Sequence, residues 1–376
     1  MHVEAKNSRR WAVLVAVVVL VALGATSCGF KRKAYENPIT KDTQQPDKIL
    51  YDKAIRDIEH ARYETARLTL NTLINTYDSS EFLAKAKLAI ADSWFRQGGS
   101  EGNAQAEAEY KDFILFYPTM EEAAESQSRI CEIHYNLMDK ADRDPNNALR
   151  AEQECRTLLT QFPNSKYARG AEQRLREIQE VLAEAEMAAG DYYHHKGAFS
   201  AAANRLNGLV SQYPLYSKAA AALWEEGDAY SHMGPRFRKD AGDAYAKIVR
   251  DYPLSTFAEQ AKKKLQEMEF AIPDADPSAV ARMKFEASNH TKTSTVGKSM
   301  GLLKRGPDVS SAAKSGAPTM ESPKREIPKN VPVPSENAGF TGDVTVAPVT
   351  GTSALDTQPD ARTPAPAPAS GGTTKK

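Results

Sequence analysis

The chain has 376 residues, of which 41% are hydrophobic and 26% are charged. Its 49 basic and 49 acidic residues give a net charge of zero, so the composition does not favour nucleic acid as a partner. Residues 271–376 hold 13 of the 21 prolines and only two aromatic residues, so any sizeable hydrophobic core must lie upstream of them.

The N-terminus has the features of an export signal that ends at a cysteine. Basic residues precede a 15-residue apolar run, residues 11–25, and small residues then lead to Cys28. This order is typical of a signal peptide and resembles a bacterial lipobox, which predicts cleavage after residue 27 and lipidation of Cys28. Gly29 follows in place of aspartate, and the sorting pattern of such lipoproteins then implies the periplasmic face of the outer membrane. An uncleaved transmembrane helix is the alternative, but it would need roughly 20 apolar residues.

A polar tether, residues 28–46, separates this cysteine from a long helical region, residues 47–270. Within the helical region an alanine precedes an aromatic residue by eleven positions five times, at intervals of 39 to 51 residues. The pairs are Ala66/Tyr77, Ala106/Tyr117, Ala151/Phe162, Ala202/Tyr213 and Ala241/Tyr252. In the last four pairs a proline follows the aromatic residue, and proline cannot continue a helix.

These recurrences predict an all-α fold, an α-solenoid of five helical hairpins in which the second helix of each hairpin stops at the aromatic residue. The spacing from alanine to proline resembles the second helix of a tetratricopeptide repeat. Gly190 and Tyr193 lie where the first helix of that repeat has its glycine and tyrosine. Solenoids of this kind act mostly by binding other proteins.

The tail, residues 271–376, is rich in proline, alanine, serine and threonine. Such a composition cannot bury enough apolar surface to offset the entropy of ordering, so we expect the tail to be disordered apart from a short helix around residues 277–289.

No arrangement of residues in the sequence predicts catalysis, a cofactor or a metal site. His194 and His195 are adjacent, and on a helix neighbouring side chains point about 100° apart, so the two cannot hold one metal ion together. The predicted protein is therefore not an enzyme.

Cys131 and Cys155 occupy the two helices of the third hairpin, at equal distances from its loop. An antiparallel hairpin places them at the same height, and an oxidising periplasm permits a disulfide between them. The alternative is that Cys155 is a buried free thiol, since it occupies a core position of the repeat.

Three aromatic residues of the first two hairpins, Tyr51, Trp94 and Phe95, could line a substrate groove for a bound peptide. Their helical spacing fits packing between helices equally well, and core packing is the favoured interpretation.

A more specific resemblance centres on Asp191-Tyr192-Tyr193-His194-His195 and the residues that follow it up to Arg205. Together with residues 162–168 and 212–214, this segment resembles the BamD family, lipoproteins of the outer-membrane β-barrel assembly machinery. The resemblance covers Cys28 and about residues 47–262, and it is strongest in the third to fifth repeats.

The resemblance implies a non-enzymatic scaffold with two kinds of partner. In that family the N-terminal repeats are linked to recognition of unfolded outer-membrane proteins, and the C-terminal repeats contact a POTRA domain of the barrel subunit. Arg205 matches a residue near that contact, and we predict that Tyr192 and Tyr193 share it; a plain surface arginine is the alternative. A different function, an envelope scaffold that contacts the cell wall through its tail, is also open.

Overall fold

The computed structural model describes residues 45–289 and 306–321. All of them belong to one unit of the chain, Met1–Glu326, and a second unit, Ile327–Lys376, lies outside them. The predicted signal peptide, Cys28 and the tether up to residue 44 also lie outside the described residues. Within the described ranges the protein is helical, with no β-strand.

Ten helices form five successive antiparallel hairpins, and two more follow them. They are α1 Pro46–Glu59, α2 Tyr63–Thr76, α3 Leu83–Gln97, α4 Gly99–Phe116, α5 Glu121–Asn136, α6 Asn146–Gln161, α7 Ala168–His195, α8 Phe199–Gln212, α9 Ala219–His232, α10 Arg238–Asp251, α11 Ala258–Glu267 and α12 Pro277–Asn289. Each helix from α1 to α11 packs chiefly against its neighbours in the chain, which is the contact pattern of a solenoid.

The repeat register predicted from the sequence is confirmed. The five repeat alanines are all fully buried, and the five aromatic residues are the residues that end α2, α4, α6, α8 and α10. At each end the aromatic residue's backbone N–H still donates to the carbonyl four residues earlier, for example Tyr213 to Leu209 at 2.7 Å. The aromatic residue therefore closes the last turn, and in the last four hairpins the proline that follows prevents another.

The core is divided along the seams between hairpins. One large cluster joins the third, fourth and fifth hairpins, from Cys131 to Leu265. A second cluster lies between the first hairpin and α3, and a smaller third cluster joins α3 and α4 to α5. Because each seam is built from neighbouring helices, the solenoid has no single centre.

Glycine allows the closest approach between two of these helices. A Cβ added to Gly190 in α7 would lie 2.5 Å from Leu206 Cδ2 in α8. This explains the glycine that the sequence analysis placed at this position.

The variant Gly190→Ala should destabilise the protein by about 1–3 kcal/mol, because the added methyl group overpacks a filled seam. Gly208→Ala is the matched control, since a Cβ there meets no atom within 4 Å and alanine is the better helix former by about 0.5–1 kcal/mol. Urea unfolding of both variants measures the difference. Equal effects of the two substitutions would contradict the packing argument.

The described part of the tail departs from the expectation of disorder. Residues 277–289 form α12, as expected for that short stretch, and α12 packs beside α10. Residues 306–321 have no regular secondary structure, yet Ala312 and Ala313 are buried and the segment is hydrogen-bonded to α6, α7 and α12. Composition did not predict this segment because its order comes from backbone contacts with the repeats, which do not require a hydrophobic sequence.

Candidate functional site

The predicted partner-binding arginine lies on the outer surface of the fourth hairpin. Arg205 in α8 donates through Nη1 to both carboxylate oxygens of Glu186 in α7, at 3.0 and 3.3 Å. Its side chain is 51% exposed, so this ion pair contributes at most about 1 kcal/mol to stability. The remaining guanidinium N–H groups can therefore serve a partner carboxylate at little cost to the fold.

The two tyrosines of the same motif differ in exposure. Tyr192 is 58% exposed, and the Lys196 ammonium lies 5.7 Å from the centre of its ring. Tyr193 instead packs against the large core cluster, with its ring 5.6 Å from that of Tyr192 in an edge-to-face arrangement. Of the predicted pair, Tyr192 thus offers free surface to a partner and Tyr193 supports it from beneath.

The adjacent histidines turn to different partners. His194 Nε2 lies 2.8 Å from Asp228 Oδ2, while His195 Nδ1 lies 2.7 Å from the backbone oxygen of Asp191. His232, whose ring stacks on Phe199, approaches Asp228 from the other side at 3.4 Å. Within residues 45–289 and 306–321 no cluster of metal-binding side chains is found.

A carboxyl pair that the sequence analysis missed lies beside these histidines. The pKa of Glu225 is raised to about 8, chiefly by burial of its carboxyl group. A hydrogen bond with Asp191 and the negative charges of Asp191 and Asp228 raise it further. One carboxylate oxygen of Glu225 and one of Asp191 are buried without a fixed donor, which suits a proton shared between the two groups. No local sequence pattern predicts this pair, because its members lie on α7 and α9.

The pair predicts an unusual dependence of stability on pH. Between pH 4.5 and about 8 the folded protein retains a proton on Glu225 that the unfolded chain has released, so the free energy of unfolding falls as pH rises through this range. Glu225→Gln should remove that fall, whereas Glu172→Gln on the exposed side of α7 should preserve it. Urea unfolding at pH 5, 6, 7 and 8 measures the slopes. An unchanged slope in Glu225→Gln would refute the shared proton.

The three predicted groove aromatics pack against two core clusters, and Trp94 contacts both. Tyr51 stacks on Phe82 at 5.3 Å, and the guanidinium of Arg67 lies 3.5 Å from the centre of the Trp94 ring. Phe95 meets Tyr110 edge to face at 6.4 Å. Tyr51, Trp94 and Phe95 are each half-buried in these seams, so the geometry favours packing between helices over a common groove.

Exposed apolar residues of the N-terminal hairpins lie elsewhere. Leu115 and Phe116, at the end of α4, are 72% and 60% exposed, and Leu68 in α2 is 71% exposed. The unbroken apolar run from residue 113 to residue 117 was the available signal, since a helix can bury only part of such a run. These residues are more exposed than the half-buried Trp94 and Phe95.

Cys131 and Cys155 are joined by a disulfide between α5 and α6. Their Cα atoms are 5.0 Å apart, and both residues are fully buried. The bond thus ties together the two helices of the third hairpin, one of the two states that the sequence left open for these cysteines.

Among the described residues no helix is long and apolar enough to span a bilayer. The apolar run at residues 11–25 and the predicted lipidation site, Cys28, are outside that set.

Comparison with known proteins gives one consistent family. The model of the YfiO family, described as outer membrane lipoprotein, matches residues 43–243. The outer membrane protein assembly factor BamD of Xylella fastidiosa (strain 9a5c) is 27% identical over 239 residues, covering 61% of this chain and 78% of the relative. The factor BamD of Pasteurella multocida is 27% identical over 255 residues, covering 64% and 92%.

The BamD protein of Vibrio cholerae is 26% identical over 198 residues, covering 50% of this chain and 81% of the relative. The family match spans the first four hairpins and reaches into α10 of the fifth, which includes the motif around Arg205. With more than half of its residues matched and with the repeat architecture described above, this chain belongs to the YfiO family of outer membrane lipoproteins.

Proposed function

We propose that this protein is a non-enzymatic scaffold of the outer-membrane β-barrel assembly machinery, held at the periplasmic face of the outer membrane by lipid on Cys28. The observation that carries the proposal is the similarity of residues 43–243 to outer membrane lipoproteins, with relatives named as assembly factors BamD. A helical-repeat solenoid suits the task, because its long surface can hold several polypeptide partners at once.

The proposed partners are the POTRA-containing barrel subunit and unfolded outer-membrane proteins. Arg205 and Tyr192 support the first assignment, because arginine and tyrosine are enriched in binding hot spots and both side chains are exposed on the fourth hairpin. Leu68, Leu115 and Phe116 support the second, since exposed apolar side chains on the N-terminal hairpins suit the apolar segments of an unfolded barrel strand.

Charge reversal at Arg205 tests the first partner. Arg205→Glu should lower co-isolation of the POTRA-containing protein by at least about tenfold, since loss of a hot-spot arginine costs more than 1.4 kcal/mol of binding. Arg169→Glu, an exposed arginine at the start of α7, carries the same change of charge and should bind as the wild type does. Quantitative pull-down in mild detergent measures both, and equal retention in the two variants would remove Arg205 from the contact.

The anchor has its own test. Mass spectrometry of the mature protein should show an acylated N-terminal Cys28, and Cys28→Ala should release the protein from the membrane fraction. A mature form that begins at another residue would exclude lipidation at Cys28.

The alternative, an envelope scaffold that contacts the cell wall through its tail, has no specific observation in its favour. Within the tail, residues 306–321 are instead engaged with the repeats.

A further inference from the structure

Residues 309–319 of the tail, which we call the strap, are bound in a groove between α6, α7 and α12. The strap is about 140 residues away in sequence from the side chains on α7 that hold it. Most of the hydrogen bonds that hold the strap are made through its backbone. Ser311 Oγ and Ser315 Oγ also donate to Glu180 and Glu286, and Lys314 Nζ lies 4.0 Å from Glu177 Oε1.

At the C-terminal end of the strap, the side-chain amide of Gln179 forms two hydrogen bonds with the backbone of Thr319. Gln179 Nε2 donates to the Thr319 carbonyl at 2.8 Å, and the Thr319 N–H donates to Gln179 Oε1 at 3.2 Å. Arg156 Nε donates to the same carbonyl at 3.1 Å. The side-chain amide thus forms the same pair of hydrogen bonds as a neighbouring β-strand would, and these bonds do not depend on the side chain of residue 319.

The middle of the strap is held in the same way. Arg176 Nη1 donates to the Gly316 carbonyl at 2.8 Å. From the opposite wall, the carboxylate of Glu286 in α12 accepts the backbone N–H groups of Lys314 and Ser315, at 3.0 and 2.7 Å. The wall formed by α6 and α7 therefore supplies donors together with the acceptor Gln179 Oε1, and α12 supplies a carboxylate acceptor; a polypeptide backbone requires both kinds of partner.

The floor of the groove consists of buried polar side chains. Glu152 is 1% exposed, Arg156 8% and Gln179 5%. Arg156 pairs with Glu152 at 2.7 Å, and Gln179 also donates to Glu152 at 3.2 Å. Charged residues are rarely buried in a purely structural seam, where leucine would pack at lower cost. Their hydrogen bonds to Thr319 indicate that the floor is arranged to receive a backbone.

Space in the groove selects small side chains. Ala312 and Ala313 of the strap are 2% and 9% exposed. Gly316 has φ +88°, and a Cβ there would lie 2.9 Å from Leu215 Cδ2. The groove therefore accepts alanine, serine and threonine at most positions and requires glycine at one.

We propose that this groove is a binding site for an extended segment of another polypeptide with small side chains, and that the strap occupies it in cis. Backbone recognition makes the site tolerant of sequence, so the same donors and acceptors can serve a foreign segment. Residues 290–308 join the strap to α12, and so short a linker gives a cis ligand an effective concentration on the order of millimolar. An external segment must therefore displace the strap. The proposal does not rest on lipid anchoring or on barrel assembly.

The test uses the full chain and a fluorescein-labelled synthetic peptide of residues 309–321. Gly316→Val should release the strap, because valine is strained at φ +88° and clashes with Leu215. Gly306→Val is the matched control, since Gly306 has no positive φ and a Cβ there meets no atom within 4 Å. The double variant Gly316→Val, Gln179→Leu also lacks the side-chain amide that hydrogen-bonds the backbone of Thr319.

Fluorescence anisotropy should show that Gly316→Val binds the peptide at least about tenfold more tightly than the wild type, since the cis competitor has left. Gly306→Val should match the wild type, and the double variant should lose the gain. A shuffled peptide that keeps Gly316, Ser311 and Ser315 in place and retains small residues elsewhere should bind Gly316→Val within about threefold of the strap peptide, because most of the other contacts are to backbone. Equal binding by wild type and Gly316→Val, retained binding by the double variant, or failure of the shuffled peptide would each overturn the proposal.

Amide hydrogen exchange measures directly whether each variant releases the strap. The amides of residues 314, 315 and 319 should exchange faster in Gly316→Val. Those of residues 314 and 315 should also exchange faster in a second release variant, Thr319→Pro, which lacks the N–H that Gln179 accepts. Unchanged exchange at residues 314 and 315 in both variants would show that these contacts do not hold the strap, and would also overturn the proposal. Because co-isolation of the POTRA-containing protein is not measured here, failure would leave the proposed function standing.

Discussion

Replacing both Cys131 and Cys155 with alanine should lower the free energy of unfolding by about 3 kcal/mol or more. The disulfide closes a loop across a sequence separation of 24 residues, and a loop of that size accounts for roughly 3 kcal/mol through the entropy of the unfolded chain. Both cysteines are fully buried, so smaller side chains also lose packing against the large core cluster. Thermal unfolding should shift down by roughly 10 °C.

Reduction separates the effect of the bond from that of the substitutions. Dithiothreitol should lower the melting temperature of the wild type and leave that of the double alanine variant unchanged. Thiol titration of the denatured, unreduced wild type, with Cys28 acylated or replaced, should find no free thiol. Two titratable thiols there would show that the bridge does not form in the native protein.

Removing Arg156 should be nearly as costly, because it leaves Glu152 buried without its cation. The side chains of this pair are 9% and 2% exposed, and breaking a buried pair by deleting one member typically costs about 3–5 kcal/mol. Arg156→Met should therefore be strongly destabilised, while the double variant Glu152→Gln, Arg156→Met should recover most of the loss. Lys262→Met is the control, since its pair with Glu259 is exposed and its loss costs less than about 1 kcal/mol.

The penalty in Arg156→Met should shrink in acid. Burial already raises the pKa of Glu152, and Arg156 and Gln179 oppose that rise. Without the arginine the folded protein binds a proton on Glu152 more tightly than the unfolded chain does, so stability is gained as pH falls and lost as pH rises. Urea unfolding at pH 5 and pH 7 compares the variant with the wild type. A penalty that is constant with pH would mean that Glu152 is already compensated by other groups.

The relation between sequence and structure is clearest in the fourth hairpin. Ala202 and Tyr213 occupy the positions at which every repeat has an alanine and an aromatic residue eleven residues later. The structure buries both and ends α8 at Tyr213. Gly190 faces Leu206, as the repeat pattern requires. These features could be predicted because helix period, helix ends and the small residues between packed helices depend on sequence patterns that span only a few helical turns.

Contacts between distant residues could not be predicted in the same way. Tyr51, Trp94 and Phe95 share an aromatic character, yet only the tertiary packing placed Tyr51 and Phe95 in different seams with Trp94 contacting both. Glu225 meets Asp191 across α7 and α9, and each carboxyl group looks like an ordinary surface residue when its own helix is considered alone.

The sequence by itself determined the repeat register, the places where the helices stop and the height at which the two buried cysteines face each other, because each follows from local periodicity. Only the tertiary structure decided that Gln179 holds the backbone of Thr319, 140 residues further along the chain. The physical reason is that a groove which binds backbone imposes no hydrophobic pattern on its ligand. The strap therefore has the composition of a disordered tail and becomes ordered only where α6, α7 and α12 supply its hydrogen bonds.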